Sequence, residues 1–246
     1  MSSTRAPEYL KRVNAALALR DIPDYEPAIV QLERAVALAP AEGSVHLLLG
    51  LTYQDLGRVQ EAEAALRQAW ELEPEDEATR QALGILLFRQ GQVDEAVELL
   101  EPLIEADIHA PGVWQTYATA MKERGQTEVA LVSLQTAFKH WPDDAEIANQ
   151  LGHLLLEQDR PDQARPVLEH ALSLQEGTGT LCDLATVHTM EGDYRGALKL
   201  LERAVERQPE SSRAWRGIAY CHLHLGDPEQ ALAAAQKGLE YDREHF

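Results

Sequence analysis

Positive charge is scarce in this chain: 22 Lys and Arg stand against 41 Asp and Glu in 246 residues, a formal net charge of −19. The acidic residues run along the whole length and are not gathered in a tail. Such a skin favours solubility and repels nucleic acid and anionic membrane surfaces, so neither is expected as a partner. Cysteine is nearly missing: Cys182 and Cys221, both in helical stretches, make no disulfide framework. No run of ~18 apolar residues suggests a membrane span. The opening MSSTRAPEYLKR lacks the apolar core of a signal peptide, and a cytoplasmic location is the expectation. Glycine-rich phosphate loops, a nucleophile elbow and HExxH are absent as well. That argues against an enzyme and gives no reason to expect a cofactor.

What the chain has instead is a repeated unit. The stretch GSVHLLLGLTYQDLGRVQEAEAALRQAWELEPED, residues 43–76, reads as two amphipathic helices. Leu49, Gly50 and Tyr53 fall on one face of the first, and Ala62, Leu66 and Ala69 on one face of the second. Gly57 accepts the left-handed backbone that closes the first helix, and Pro74 ends the second. Gly50 and Ala62 are the small residues that let the two backbones approach.

The template recurs down the chain. Its alanine returns at Ala28, Ala62, Ala96, Ala130, Ala164, Ala197 and Ala231, in steps of 34 residues with one step of 33. The small residue of the first helix keeps step as Ala16, Gly50, Gly84, Ala118, Gly152, Ala185 and Ala219. Leucine follows at Leu32, Leu66, Leu100, Leu134, Leu168 and Leu201, and fails only at Ala235. Turn glycines stand at Gly57, Gly91, Gly125, Gly192 and Gly226. With Trp114 and Trp215 at a large aromatic position and terminal prolines at Pro40, Pro74, Pro142 and Pro209, the chain resembles the tetratricopeptide repeat family over about residues 9–246. The resemblance implies an all-α fold, an α-solenoid in which seven helix-turn-helix repeats form a right-handed superhelix. It says little about activity, because function in such scaffolds lives on the surface.

In order, a polar lead over residues 1–8 is expected to fray, and a single array fills 9–246. Its repeats cover about 9–42, 43–76, 77–110, 111–144, 145–177, 178–211 and 212–246. Repeat one is irregular, with DIPDY and Pro23 in its turn and Arg12 where an aromatic would anchor the helix. Pro102 inside a second helix predicts a kink or an early end, whereas Pro161 is benign and Pro166, one turn on, less so. Residues 175–180, with two glycines and the shortened step, read as the loosest joint and predict that repeats one to five and six to seven move as two blocks.

The resemblance implies that first helices line a concave groove. In repeats one to three the groove positions are Val13, Leu17, Leu47, Leu51, Gln81, Ile85 and Phe88, largely apolar. In repeats four to seven they are Gln115, Thr119, Lys122, Asn149, His153, Cys182, Thr186, Arg213, Arg216 and Tyr220, largely polar. Six large apolar side chains predict a contiguous patch that a monomer would seldom leave in water. The expectation is a non-catalytic scaffold or adaptor that takes a partner peptide or helix there. Its alternative is a structural subunit or self-associating oligomer that buries the groove or the last helix. No charge among the groove positions of repeats one to three would hold a peptide carboxylate. Arg213 and Arg216 could pair with an acidic ligand, although a solvated face is the plainer reading.

Histidines and cysteines raise the question of metal. His222 and His224 point about 200° apart on a helix and cannot share an ion. His188 and His222 take the template place of Tyr53, a core slot, so no metal site is expected.

Overall fold

The computed structural model describes residues 7–20 and 25–243; the turn at Pro23 and the first six residues of the lead lie outside them. Among the described residues there are fourteen α-helices and no strand. They are α1 (Glu8–Arg20), α2 (Glu26–Leu38), α3 (Gly43–Asp55), α4 (Val59–Leu72), α5 (Glu77–Arg89), α6 (Val93–Glu105), α7 (Pro111–Glu123), α8 (Thr127–His140), α9 (Ala145–Glu157), α10 (Pro161–Leu174), α11 (Thr178–Met190), α12 (Tyr194–Arg207), α13 (Ser212–Leu225) and α14 (Pro228–Arg243). The chain divides into two compact units, Met1–Thr127 and Glu128–Phe246.

In the first unit α1/α2, α3/α4 and α5/α6 are helical hairpins, and α7 packs on α5 and α6. The core is built from the periodic residues: Ala28, Leu32, Ala62, Leu66 and Ala96 are fully buried, joined by Leu83, Leu87 and Tyr53. The close approach expected at the small positions is real. A Cβ placed on Gly50 would lie 2.7 Å from Leu66 Cγ, and one on Gly84 would lie 2.7 Å from Leu100 Cδ2. In the second unit α9/α10, α11/α12 and α13/α14 are hairpins, with Leu181, Ala197, Leu201, Ala204, Ala214 and Cys221 in the core.

The turns follow their glycines. Gly57, Gly91, Gly125, Gly192 and Gly226 have φ between 72° and 85°, and in repeat five, where glycine is missing, Asp159 takes φ 56° in its place. The junctions between repeats share a second device. The side chains of His46, Arg80, Trp114 and Trp215 occupy one template position, and each bonds a carbonyl six residues back: Pro40, Pro74, Ile108 and Pro209, at 3.0, 2.8, 2.9 and 2.7 Å. At these four junctions the position is thus also a polar staple, which ties the inter-repeat turn to the helix it feeds; Ala148 and Leu181 hold the place at the other two.

Of the two outcomes expected at Pro102, the early end does not occur: α6 runs three residues further, to Glu105. Leu99, Leu100 and Leu103 are buried around it and hold the helix in place, while Glu98, whose carbonyl loses its N–H partner, is on the exposed flank. Residues 175–180 lie within the second unit, tied by Leu181 N–H to Gly177 O (3.0 Å), Thr180 Oγ1 to Asn149 Oδ1 (3.1 Å) and Arg203 to Glu176 (3.0 Å).

Candidate partner-binding surfaces

In the first unit, Leu51 of α3 and Ile85 of α5 stand one repeat apart and line a cleft of about 310 Å³ with Gln54, Ala78, Gln81, Ala82 and Arg89. The other expected apolar groove residues are disposed differently. Leu47 and Phe88 lean on the core, Val13 is half-buried, and Leu17 is 46% exposed. The apolar ground at the cleft is therefore narrower than six side chains. It also carries a cation that the sequence reading passed over. Arg89 continues the stripe Ala78, Ala82, Ile85 by one more turn at helical spacing, and that spacing was the signal for it. On α7, Gln115 is half-buried, Thr119 donates its hydroxyl back to the Gln115 carbonyl (2.9 Å), and Lys122 is exposed.

The second unit brings two expected groove residues, His153 and Arg213, around one unforeseen group. Asp183 of α11 has a side chain only 3% exposed. His153 Nδ1 on α9 lies 3.1 Å from its Oδ1, and Arg213 of α13 donates to the same oxygen. His153 Nε2 lies 3.3 Å from Glu157 Oε1. The hydrogen bond to Asp183 raises the His153 pKa, helped by the charges of Asp183 and Glu157 and opposed by burial and by Arg213. Asn149 accepts from Thr180, one helix over. Sequence reasoning missed Asp183 because its repeat counterparts, Leu48, Ala82, Gln150 and Gly217, carry no charge and made the position look unremarkable.

Beside this network lies a pocket of about 150 Å³ lined by Cys182, Ala185, Thr186, Thr189, Leu201, Arg213, Gly217 and Tyr220. Arg213 is thus anchored to a buried carboxylate, contrary to the solvated-face reading. Cys182, expected to face the groove, is 3% exposed and forms part of the floor. Burial pushes its thiol pKa up, and pushes that of Cys221 up to about 11, so neither is a ready thiolate. His188 and His222 are half-buried, not fully within the core. His188 Nδ1 lies 2.9 Å from Asp193, and His224 stacks on Tyr194 at 4.6 Å.

Comparison with known proteins bears on the family and the fold. Models described as tetratricopeptide repeat match residues 10–77 and 182–243, 53–118 and 143–210. Protein FlbA of Caulobacter vibrioides is 33% identical over 99 residues, 40% of this chain and 17% of its own length, so the likeness spans under a fifth of that relative. Among solved structures, PilW, a type IV pilus biogenesis factor, superposes with TM-score 0.71 at 16% identity over 84% of this chain and 96% of its own. YrrB, described as having an unusual peptide-binding site, gives 0.64 at 17% identity over 74% and 95%. At these identities the structural likeness establishes an all-α solenoid fold.

Proposed function

Because the chain belongs to the tetratricopeptide repeat family, we propose that this protein-interaction scaffold is non-catalytic and captures a peptide or helix of a partner protein on the first helices of its repeats. The observation that carries this reading is the cleft between Leu51 and Ile85, an apolar floor with a rim of Gln54, Gln81 and Arg89. Apolar ground rimmed by polar groups suits an amphipathic segment, whose apolar side chains lose water in the cleft while the rim fixes their register. Val13, Leu17, Leu47 and Phe88 extend the apolar contact within the first unit. In the second unit Asn149, His153 and Tyr220 offer polar and aromatic contacts to the same class of partner.

A second reading, self-association, is favoured by α14. Leu232 and Leu239 are 61% and 57% exposed. One repeat earlier their counterparts Leu198 and Val205 are packed against the core together with Trp215 and Ala219. The face that each repeat covers is open here, and a second copy could close it.

A tagged pull-down from native lysate, run beside Leu51→Glu and with the mass of the purified protein measured in solution, tests both. A monomer that retains a client lost by the folded variant supports capture in the cleft. A dimer that Leu232→Glu dissociates, with no client, transfers the function to self-association.

A further inference from the structure

Helix α13, SRAWRGIAYCHLHL, is the one helix among those described without a single Asp or Glu, in a chain that holds 41 of them. Its residues Arg213, Arg216, Gly217, Tyr220 and His224 recur at three- and four-residue spacing and share one face. Two of these positions are prepared for a ligand. Arg213 is held at the mouth of the pocket by Asp183 through part of its guanidinium, which leaves donors of the five-donor fork unused. Arg216 is exposed and makes no ion pair or hydrogen bond to any described residue. Beside Arg213, and one turn from Arg216, the pocket is lined by Leu201, Ala185 and Gly217. A Cβ on Gly217 would come within 2.9 Å of the Leu201 methyls, so the absent side chain is part of what keeps the floor open. Thr186, Thr189 and Tyr220 form the rim.

We propose that this face binds an extended acidic segment of a partner protein. Aspartate or glutamate carboxylates pair with Arg216 and the unused donors of Arg213, and one aliphatic side chain between them enters the pocket. The proposal deepens the capture reading above by naming the partner chemistry. Charge complementarity selects the occupant: a net charge of −19 repels an acidic segment over most of the surface, so α13 is where such a segment gains contact instead of losing it. The acidic groups of the adjoining network do not undo this: Asp183 pairs with Arg213 and lies against His153, and Glu157 faces His153.

The test is fluorescence anisotropy on the full chain with a labelled, N-acetylated and C-amidated peptide Asp-Glu-Leu-Glu-Asp, compared with its amide counterpart Asn-Gln-Leu-Gln-Asn. Amidation confines the charge to side chains. The acidic peptide is expected to bind about tenfold tighter than the amide one, with the preference fading as salt rises. Arg216→Gln, which removes no contact within the fold, is expected to abolish that preference. Thr186→Leu, which fills the pocket from an exposed position, is expected to weaken both peptides. Equal binding of the two peptides, no saturation by the acidic peptide below about 1 mM, or a preference that survives Arg216→Gln would each overturn the proposal. Leu51→Glu separates the two readings. If a client is lost with Leu51→Glu but held by Arg216→Gln, the cleft reading stands and the acidic-segment proposal falls.

Discussion

His153 Nδ1 and Asp183 Oδ1 are 3.1 Å apart although thirty residues separate them in the chain. The hydrogen bond joins neighbouring first helices, α9 and α11, on the face where α13 also arrives through Arg213. It makes a half-exposed imidazole part of a nearly buried ionic group.

Stability should carry a pH signature of this contact. The folded-state pKa of His153 is raised, so its contribution is fully present below the unfolded histidine value of about 6.5 and is lost as pH rises through the higher folded value. As pH rises from about 6.5 through that higher folded value, the native protein should lose stability relative to His153→Gln. Urea midpoints for the two proteins across that window measure it, and parallel pH curves would sink the assignment.

Removing either charge from the Asp183–Arg213 pair should not cost the same. Arg213→Ala leaves a carboxylate with 3% exposure and only His153 beside it, which should cost about 3 kcal/mol. Asp183→Asn leaves Arg213 and His153, each with some 40% of its side chain in water, and should cost about 1 kcal/mol. Denaturant unfolding of both variants checks the order.

Gly84→Ala should destabilise by about 1–2 kcal/mol, because the new methyl meets the tip of Leu100, itself fully buried and without room to retreat. The upper end of the overpacking range is not expected, since alanine takes the equivalent place at Ala16 and Ala185. Calorimetry with an unchanged transition would show that the helices separate more easily than the contact implies.

Asp159→Gly should do the opposite. Asp159 holds φ 56° in a turn where five other repeats have glycine. Relief of left-handed strain, about 1–2 kcal/mol for an L-residue, exceeds the extra unfolded-state freedom of glycine, about 0.5–1 kcal/mol. A gain of about 0.5–1 kcal/mol in urea unfolding is expected.

The sequence by itself determined the hairpins and their register. Ala62, Leu66, Gly50 and Gly57 announce helix face, close approach and turn from spacings of three, four and seven residues, all settled within one repeat and restated in the next. The surface was legible only where it inherits that register, as at Leu51, Ile85, His153 and Arg213. Tertiary structure decided the rest. It buried Asp183 and surrounded it with partners about thirty residues to either side, placed Arg89 at the rim of the apolar cleft, and carried α6 through Pro102 on the strength of its buried leucines. Each of these depends on which side chains meet across helices that are distant in the chain, and a pattern repeated every 34 residues records what the repeats share, not the one place where a single copy departs from it.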